Sequence, residues 1–158
     1  MITIDRRMVH ADLPRVFAAA RDVERWPQIL PHYRWVRYHR KDGGEGAGRV
    51  EMAAWRPFGP LPGWPTWWMS EMAVETDKPR IRYKHVRGIT RGMDVSWEFV
   101  PQNGSVLVTI THWWDGPRWP LIGGLAASAV IGPVFIHGIA SRTLEGVART
   151  AEQGAANA

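Results

Sequence analysis

The sequence predicts an α+β fold in which one antiparallel sheet of seven strands is covered by a long C-terminal helix. Between Tyr33 and Asp115, apolar and polar residues alternate with a period of two, and turn signals divide this stretch into six strands. From Pro133 onward the period is that of an amphipathic helix, which is long enough to cover the apolar face of the sheet.

Residues 1–32 supply one more strand and two short helices. Ile2 to Val9 alternates and predicts the first strand. Asp12 and Asp22 are each followed by helix-compatible residues and are predicted to be N-caps. Pro27 and Pro31 keep the second helix short, because proline removes a backbone donor.

Six further strands complete the predicted sheet. Tight turns and short loops join most of them, whereas a Pro/Gly-rich loop, PFGPLPG, separates the third strand from the fourth. The predicted ranges are Tyr33–Lys41, Arg49–Arg56, Trp64–Thr76, Arg80–Arg87, Met93–Val100 and Ser105–Trp114.

The C-terminal helix carries one charged stripe, at Arg142, Glu145, Arg149 and Glu152, opposite an apolar face. This pattern predicts that the helix packs on the sheet. The domain is predicted to comprise residues 1–153, with residues 154–158 as a flexible tail.

The segment from Trp119 to Ser141 contains no charged residue and is long enough to cross a bilayer as a helix. Gly132 and Pro133 interrupt it, and its second half belongs to an amphipathic pattern, so a core-packing helix is favoured over a membrane span. For the part at 119–131, two alternatives stay open: packing on the helices, or contact with a membrane or a second subunit around Ile131 and Phe135.

Composition excludes some chemistries and favours some partners. The chain has no cysteine, which excludes disulfides, thiolate zinc sites and cysteine nucleophiles. Its net charge of +5 favours anionic partners, although the cations are scattered and no motif indicates nucleic acid. Ten tryptophans indicate a large apolar structure. The N-terminus lacks an apolar signal region, so a cytoplasmic protein is expected, with peripheral membrane contact left open.

Two stretches resemble the START-like (SRPBCC) superfamily, in particular its polyketide cyclase/dehydrase and coenzyme Q-binding START-domain group. ARDVERWPQILPHYRWVR is similar to the helix pair and strand entry of that group, and GMDVSWEFVPQNGSVLVTITHWW is similar to its W-x-F-x-P strand and the strand after it. The resemblance implies a helix-grip fold with a cavity for an apolar ligand between sheet and helix. It implies no universal catalytic residue.

Residues on the apolar side of the strands and of the C-terminal helix are the candidate ligand contacts. Three of them are histidines, but they lack short metal-ligand spacing, so no metal and no cofactor are predicted. The candidates are Trp68, Met72, Tyr83, His85, Val95, Trp97, Ile110, His112, Ile136, His137 and Ala140.

The leading functional hypothesis is binding, with transport left open, of a lipid, quinone or polyketide-like compound without chemistry, by a monomer or homodimer. One alternative is a polyketide aromatase/cyclase or dehydratase with His85, His112, Tyr83 and Arg87 as candidate catalytic residues. Another is an interaction module that docks on an anionic membrane or an acidic protein.

Overall fold

The computed structural model describes residues 1–43, 45–58, 61–116 and 132–156, and within them the side chains outside 56–62 and 132–135. The N-terminal part forms β1 (Ile2–Val9), α1 (Leu13–Arg21), a single 3-10 turn (Val23–Arg25) and α2 (Trp26–Ile29). The other elements are β2 (Tyr33–Lys41), β3 (Gly48–Phe58), β4 (Leu61–Glu75), β5 (Arg80–Gly88), β6 (Asp94–Gln102), β7 (Ser105–Trp113) and α3 (Gly132–Ala156).

The seven strands form one antiparallel sheet in the order β1-β7-β6-β5-β4-β3-β2. Helix α3 lies against its inner face, with its most extensive contacts to β1 and α1. The predicted helix-grip architecture, including two short helices between the first and second strands, is therefore confirmed. Asp12 caps α1 as predicted, because its side chain accepts a hydrogen bond from the Arg15 amide at 2.9 Å.

The core lies between the inner face of the sheet and the three helices. Every second residue is buried throughout β7 and, in β5, as far as His85, as the alternation predicted. Helix α3 contributes its apolar face through Leu144, Val147 and Ala148, each at most 2% exposed. Apolar burial of this kind supplies the main favourable term in folding.

A β-bulge in β5 interrupts the alternation. Ser70 of β4 pairs with His85, and Met69 pairs with Arg87, so Val86 has no partner on β4. The bulge is followed by Gly88, whose φ is +90°. A Cβ atom there would lie 2.3 Å from the Trp67 carbonyl oxygen, so this position requires glycine.

The long loop predicted between the third and fourth strands is mostly strand, which corrects the sequence interpretation. β3 continues to Phe58 and β4 begins at Leu61, and these two residues pair with each other. The prolines and glycines of this stretch indicated a loop, but proline is tolerated in a strand that has no neighbouring strand on one side. β2 pairs with β3 only as far as Ala54, and β5 pairs with β4 only from Trp68, so this end is such a two-stranded ribbon.

Among the described residues, no helix is both long and apolar enough to cross a bilayer. Helix α3 begins at Gly132, one residue before the predicted start, and continues to Ala156. The proposed membrane or subunit contact at residues 119–131 lies outside the described residues. The assignment of residues 1–153 as one domain and 154–158 as a flexible tail stays a prediction.

Candidate functional site

A cavity lies between the inner face of the sheet and α3. It offers about 70 Å³ to the centres of water-sized molecules, and a single water itself fills roughly 10–15 Å³. Because the walls lie roughly 1.4 Å, the radius of a water, beyond those centres, the cavity has room for several waters or for a small apolar molecule. The cavity is therefore large enough to be a ligand site.

Nine of the eleven predicted contact residues line this cavity. Strands β4 to β7 contribute seven of them and α3 contributes two, so sheet and helix form opposite walls. The nine are Trp68, Tyr83, His85, Val95, Trp97, Ile110, His112, Ile136 and Ala140. Their role in binding a ligand stays a prediction.

The other two predicted contacts, Met72 and His137, do not line the cavity. Met72 is buried on the correct face of β4, but its sulfur lies near the Tyr38 hydroxyl, at 3.6 Å. His137 was expected to point inward, and this is corrected. Its side chain is 67% exposed and pairs through Nδ1 with the carboxylate of Asp5 on the edge strand β1.

Arg87, a candidate for the enzymatic alternative, is exposed and does not line the cavity either. If the period of two continued from Tyr83 and His85, Arg87 would lie on the inner face of the sheet. The bulge at Val86 shifts the alternation by one residue and turns Arg87 to the outer face, beside Met69. Of the four candidate catalytic residues, Tyr83, His85 and His112 therefore remain together at the cavity.

Tyr83 lines the cavity, and its hydroxyl is a buried polar group with almost no accessible surface of its own. It is fully buried, and it has no hydrogen-bond partner among the described residues. Burial raises the pKa of Tyr83 well above its usual value, so the hydroxyl stays neutral and retains its proton. A buried hydroxyl without a partner is costly, and a ligand that bonds to it would remove that cost.

His85 is fixed from several directions. Its Nδ1 lies 2.6 Å from the Thr90 hydroxyl, and its ring stacks on Trp68 with an interplanar angle of 7°. The backbone beyond β5 is also held, since Trp114 Nε1 donates to the Arg91 carbonyl at 3.2 Å. The imidazole is thus presented to the cavity in a defined orientation.

His32 forms a polar contact beside the cavity that sequence reasoning missed. Its Nε2 lies 3.0 Å from the Thr143 hydroxyl, which itself donates to the Ile139 carbonyl at 2.8 Å. Because that hydroxyl proton is engaged, His32 must be the donor, with its proton on Nε2. Burial, helped by the charge of Arg142, lowers the pKa of His32 to about 4, so the ring is neutral at pH 7.

Aromatic rings from helix and sheet meet at one end of the cavity. Trp26 of α2 lies 5.2 Å from Tyr33 and 5.9 Å from Trp97, and Tyr33 lies 6.1 Å from Trp68, between ring centroids. Such edge and tilted contacts stabilise the packing beyond apolar burial alone. Three of the ten tryptophans are therefore used in this wall.

Seven lining residues were missing from the sequence-based set: Trp26, Tyr33, Met52, Thr90, Met93, Ile139 and Thr143. The strand alternation does signal Met52, which lies on the inner parity of β3 with Val50 and Ala54. Trp26 and Tyr33 come from the short helix and the strand entry, where a period of two gives no signal. Thr143 follows Ile136 by seven residues, which is the helical signal for a shared face.

Within the described parts of the chain, no group of three or more His, Asp or Glu side chains is arranged to hold a metal ion. The cavity itself is lined mainly by aromatic and aliphatic side chains with a few hydroxyl and imidazole groups. This composition is typical of sites for apolar small molecules.

Comparisons with known proteins support this architecture. A family model described as polyketide cyclase/dehydrase and lipid transport matches residues 9–133. A protein from Thermus thermophilus, TTHA0849, is 19% identical with a TM-score of 0.79, covering 98% of this chain and 99% of its own. No sequence among the curated proteins matches.

Two further solved structures share the fold. The Zhui aromatase/cyclase from a Streptomyces species is 17% identical with a TM-score of 0.73, over 97% of this chain and 94% of its own. A START superfamily protein from Mycobacterium smegmatis is 15% identical with a TM-score of 0.67, over 96% and 94%. Identities this low indicate a shared fold and not a shared ligand. Because the family model covers most of the chain, the protein belongs to the polyketide cyclase/dehydrase and lipid-transport family.

Proposed function

We propose that this protein binds an apolar, ring-containing small molecule in the cavity between the sheet and α3, and that Tyr83 hydrogen-bonds to a polar group of that ligand. The observation that carries the proposal is the buried Tyr83 hydroxyl, which has no partner among the described residues and belongs to a side chain in a mainly apolar wall. Apolar burial supplies most of the affinity, and the hydroxyl orients the ligand.

The aromatic wall supports a flat ligand. Trp68 and His85 stack nearly parallel, and Trp26 and Trp97 are tilted by 34° with respect to each other. Planar rings gain contact area against such a wall at little entropic cost. Lipid, quinone and polyketide-like compounds remain the ligand classes that we propose.

Narrowing the cavity tests the proposal. 2-Naphthol is the probe, and its binding is measured from amide chemical shifts of the lining residues. Ala140→Leu adds volume to the cavity wall and is expected to weaken binding by about tenfold or more. Ser141→Leu, on the next residue of α3 and outside the cavity lining, is the matched control. Absence of binding to the wild type, or equal effects of both variants, would contradict the proposal.

A second candidate function is dehydration or cyclisation of a ketone-containing substrate. It is favoured by one observation: Tyr83, His85 and His112 line the same cavity. In a dehydration, a base takes the proton next to the ketone, an acid protonates the β-hydroxyl, and water leaves as the double bond forms. His85 or His112 would be the base and Tyr83 the acid.

A model β-hydroxyketone separates this second candidate from binding alone, because the enone product absorbs in the near ultraviolet. An enzyme accelerates its formation, and the double variant His85→Ala, His112→Ala abolishes the acceleration. A protein that only binds its ligand leaves the rate at the level of buffer.

A further inference from the structure

The outer face of β2, β3 and β4 carries exposed aromatic and cationic side chains that the cavity does not use. Trp55 and Trp67 on this face are 41% and 36% exposed, and Trp64, on the opposite face of the β3–β4 ribbon, is 67% exposed. We define the Trp/Arg surface as Trp55, Trp64, Trp67, Arg34 and Arg37. Exposed tryptophans grouped in this way are unusual for a surface that contacts only water.

The arginines of this surface lie over aromatic rings. The Arg34 guanidinium is 4.6 Å from the centre of the Trp55 ring, and the Arg37 guanidinium is 4.8 Å from that of Trp35. Within the part of the chain that the structure describes, neither arginine forms an ion pair with a carboxylate, whereas the nearby Arg40 and Arg49 both pair with Glu71. Two positive charges are therefore available to an anionic partner.

One carboxylate offsets part of this charge, since Glu51 lies opposite Arg37 in the β2–β3 pairing and the two side chains attract each other. Glu51 accepts a hydrogen bond from Trp67 Nε1, and its other oxygen lies 2.8 Å from His39 Nε2. Arg87 adds another exposed cation beside Met69, again without an ion pair among the described residues. This part of the outer face is thus positive as well as aromatic.

The positions of the tryptophans on the two-stranded ribbon of β3 and β4 distinguish between a protein and a lipid bilayer as the partner of this surface. Trp55 pairs with Pro65, and Trp64 pairs with Arg56 on the next rung, so the two indoles lie on opposite faces of the ribbon. A protein docked on one face would leave the other indole in water. The interfacial layer of a bilayer surrounds an inserted ribbon end and accepts indoles from both sides.

We propose that the Trp/Arg surface docks the protein on an anionic lipid bilayer, with Trp55 and Trp64 in the headgroup layer and with Arg34 and Arg37 against the lipid phosphates and carboxylates. Basic residues near an anionic leaflet strengthen binding, and apolar side chains add to it. This inference does not depend on the identity of the cavity ligand. It concerns a different part of the molecule from the segment at residues 119–131.

Vesicle flotation tests the charge requirement. The probes are phosphatidylcholine vesicles and vesicles with about 30% phosphatidylserine, and the expected result is binding to the second kind only, weakened by added salt. Arg34→Gln with Arg37→Gln is expected to reduce binding by about 30-fold, which is about fivefold for each charge. Arg142→Gln with Arg149→Gln changes the net charge equally on the exposed side of α3 and is expected to have little effect.

A second pair of variants tests whether vesicle binding requires the exposed tryptophan. Trp55→Ala is expected to weaken binding by about tenfold, whereas Trp113→Ala, at a site that is 42% exposed on β7, leaves it unchanged. Circular dichroism verifies that each variant is folded. Absence of flotation with anionic vesicles, equal losses in the test and control variants, or a concentration-dependent dimer through Trp55 would overturn the proposal.

Discussion

The two faces of the sheet use tryptophan in opposite ways. On the inner face, Trp68 and Trp97 are at most 6% exposed and form an aromatic wall around the cavity. On the outer face, Trp55 and Trp67 are at least 36% exposed, and the Arg34 guanidinium lies over the Trp55 ring. The tryptophans thus serve two separate parts of the structure, a cavity wall and an external surface, which only the direction of each side chain distinguishes.

The largest expected difference between the faces is in stability. Trp97→Ala removes a ring that contacts both Trp26 and Phe99, and we expect it to lower the free energy of unfolding by about 3–5 kcal/mol. Trp55→Ala on the outer face is expected to lower it by less than about 1 kcal/mol. Urea unfolding of both variants measures the contrast, and similar losses would show that the two faces are not distinct.

Gly88 follows the bulge at Val86, which shifts by one residue the alternation of inward and outward side chains along β5. A side chain there meets the Trp67 backbone and requires an unfavourable positive φ. We expect Gly88→Ala to cost about 2–4 kcal/mol of stability. Gly92→Ala is the control, because its φ is also positive but no atom lies within 4 Å of the added Cβ. If Gly88→Ala and Gly92→Ala lower the free energy of unfolding equally, the close approach of residue 88 to the Trp67 backbone does not determine stability.

The buried histidine at the cavity predicts a pH dependence of stability. His32 has a pKa of about 4 in the folded protein against 6.5 when unperturbed, so the unfolded chain binds a proton more readily between these values. Its contribution to stability is therefore complete above pH 6.5 and is lost as the pH falls towards 4. Between pH 7.5 and 4.5 this loss amounts to about 2–3 kcal/mol.

The variant His32→Gln isolates this contribution from that of the carboxylates. Its glutamine donates to Thr143 without titrating, so its stability is expected to fall less steeply over the same pH range. Urea unfolding of wild type and variant at both pH values gives the comparison. Parallel pH profiles would contradict the neutral, buried state of His32.

The smallest expected effect concerns Tyr83. Because its hydroxyl is buried without a partner among the described residues, Tyr83→Phe is expected to leave the stability unchanged or to raise it by about 1 kcal/mol. Tyr38→Phe, in contrast, removes a hydrogen bond to the Gly46 carbonyl at 2.6 Å and is expected to lower it by about 1 kcal/mol. A clear loss in Tyr83→Phe would indicate that the hydroxyl has a partner in the protein alone.

The fold could be predicted because its main signals are local. The period of two marked the strands, and the charged stripe of α3 marked the helix that covers them, so the strand faces placed Val95 and Ile110 correctly at the cavity. The short helices were also signalled by Asp12 and by the prolines. These signals need only the neighbours of each residue along the chain.

The errors arose where distant residues determine the local structure. A bulge turned Arg87 outward, and only the pairing of β5 with β4 reveals it. His137 pairs with Asp5, which lies 132 positions earlier in the chain. The buried Asp5 itself, whose pKa burial raises against the opposing effect of His137, was not recognised as a partner. No local pattern encodes such contacts.

The most direct measurement of the central claim compares two probes that differ by one hydroxyl. 2-Naphthol and naphthalene are titrated against wild type and Tyr83→Phe, with amide chemical shifts of the lining residues as the readout. If Tyr83 orients a ligand in the cavity, the substitution weakens the binding of 2-naphthol about threefold to tenfold and leaves the binding of naphthalene unchanged. If both probes lose affinity equally, or if neither shifts the lining residues, the claim is contradicted.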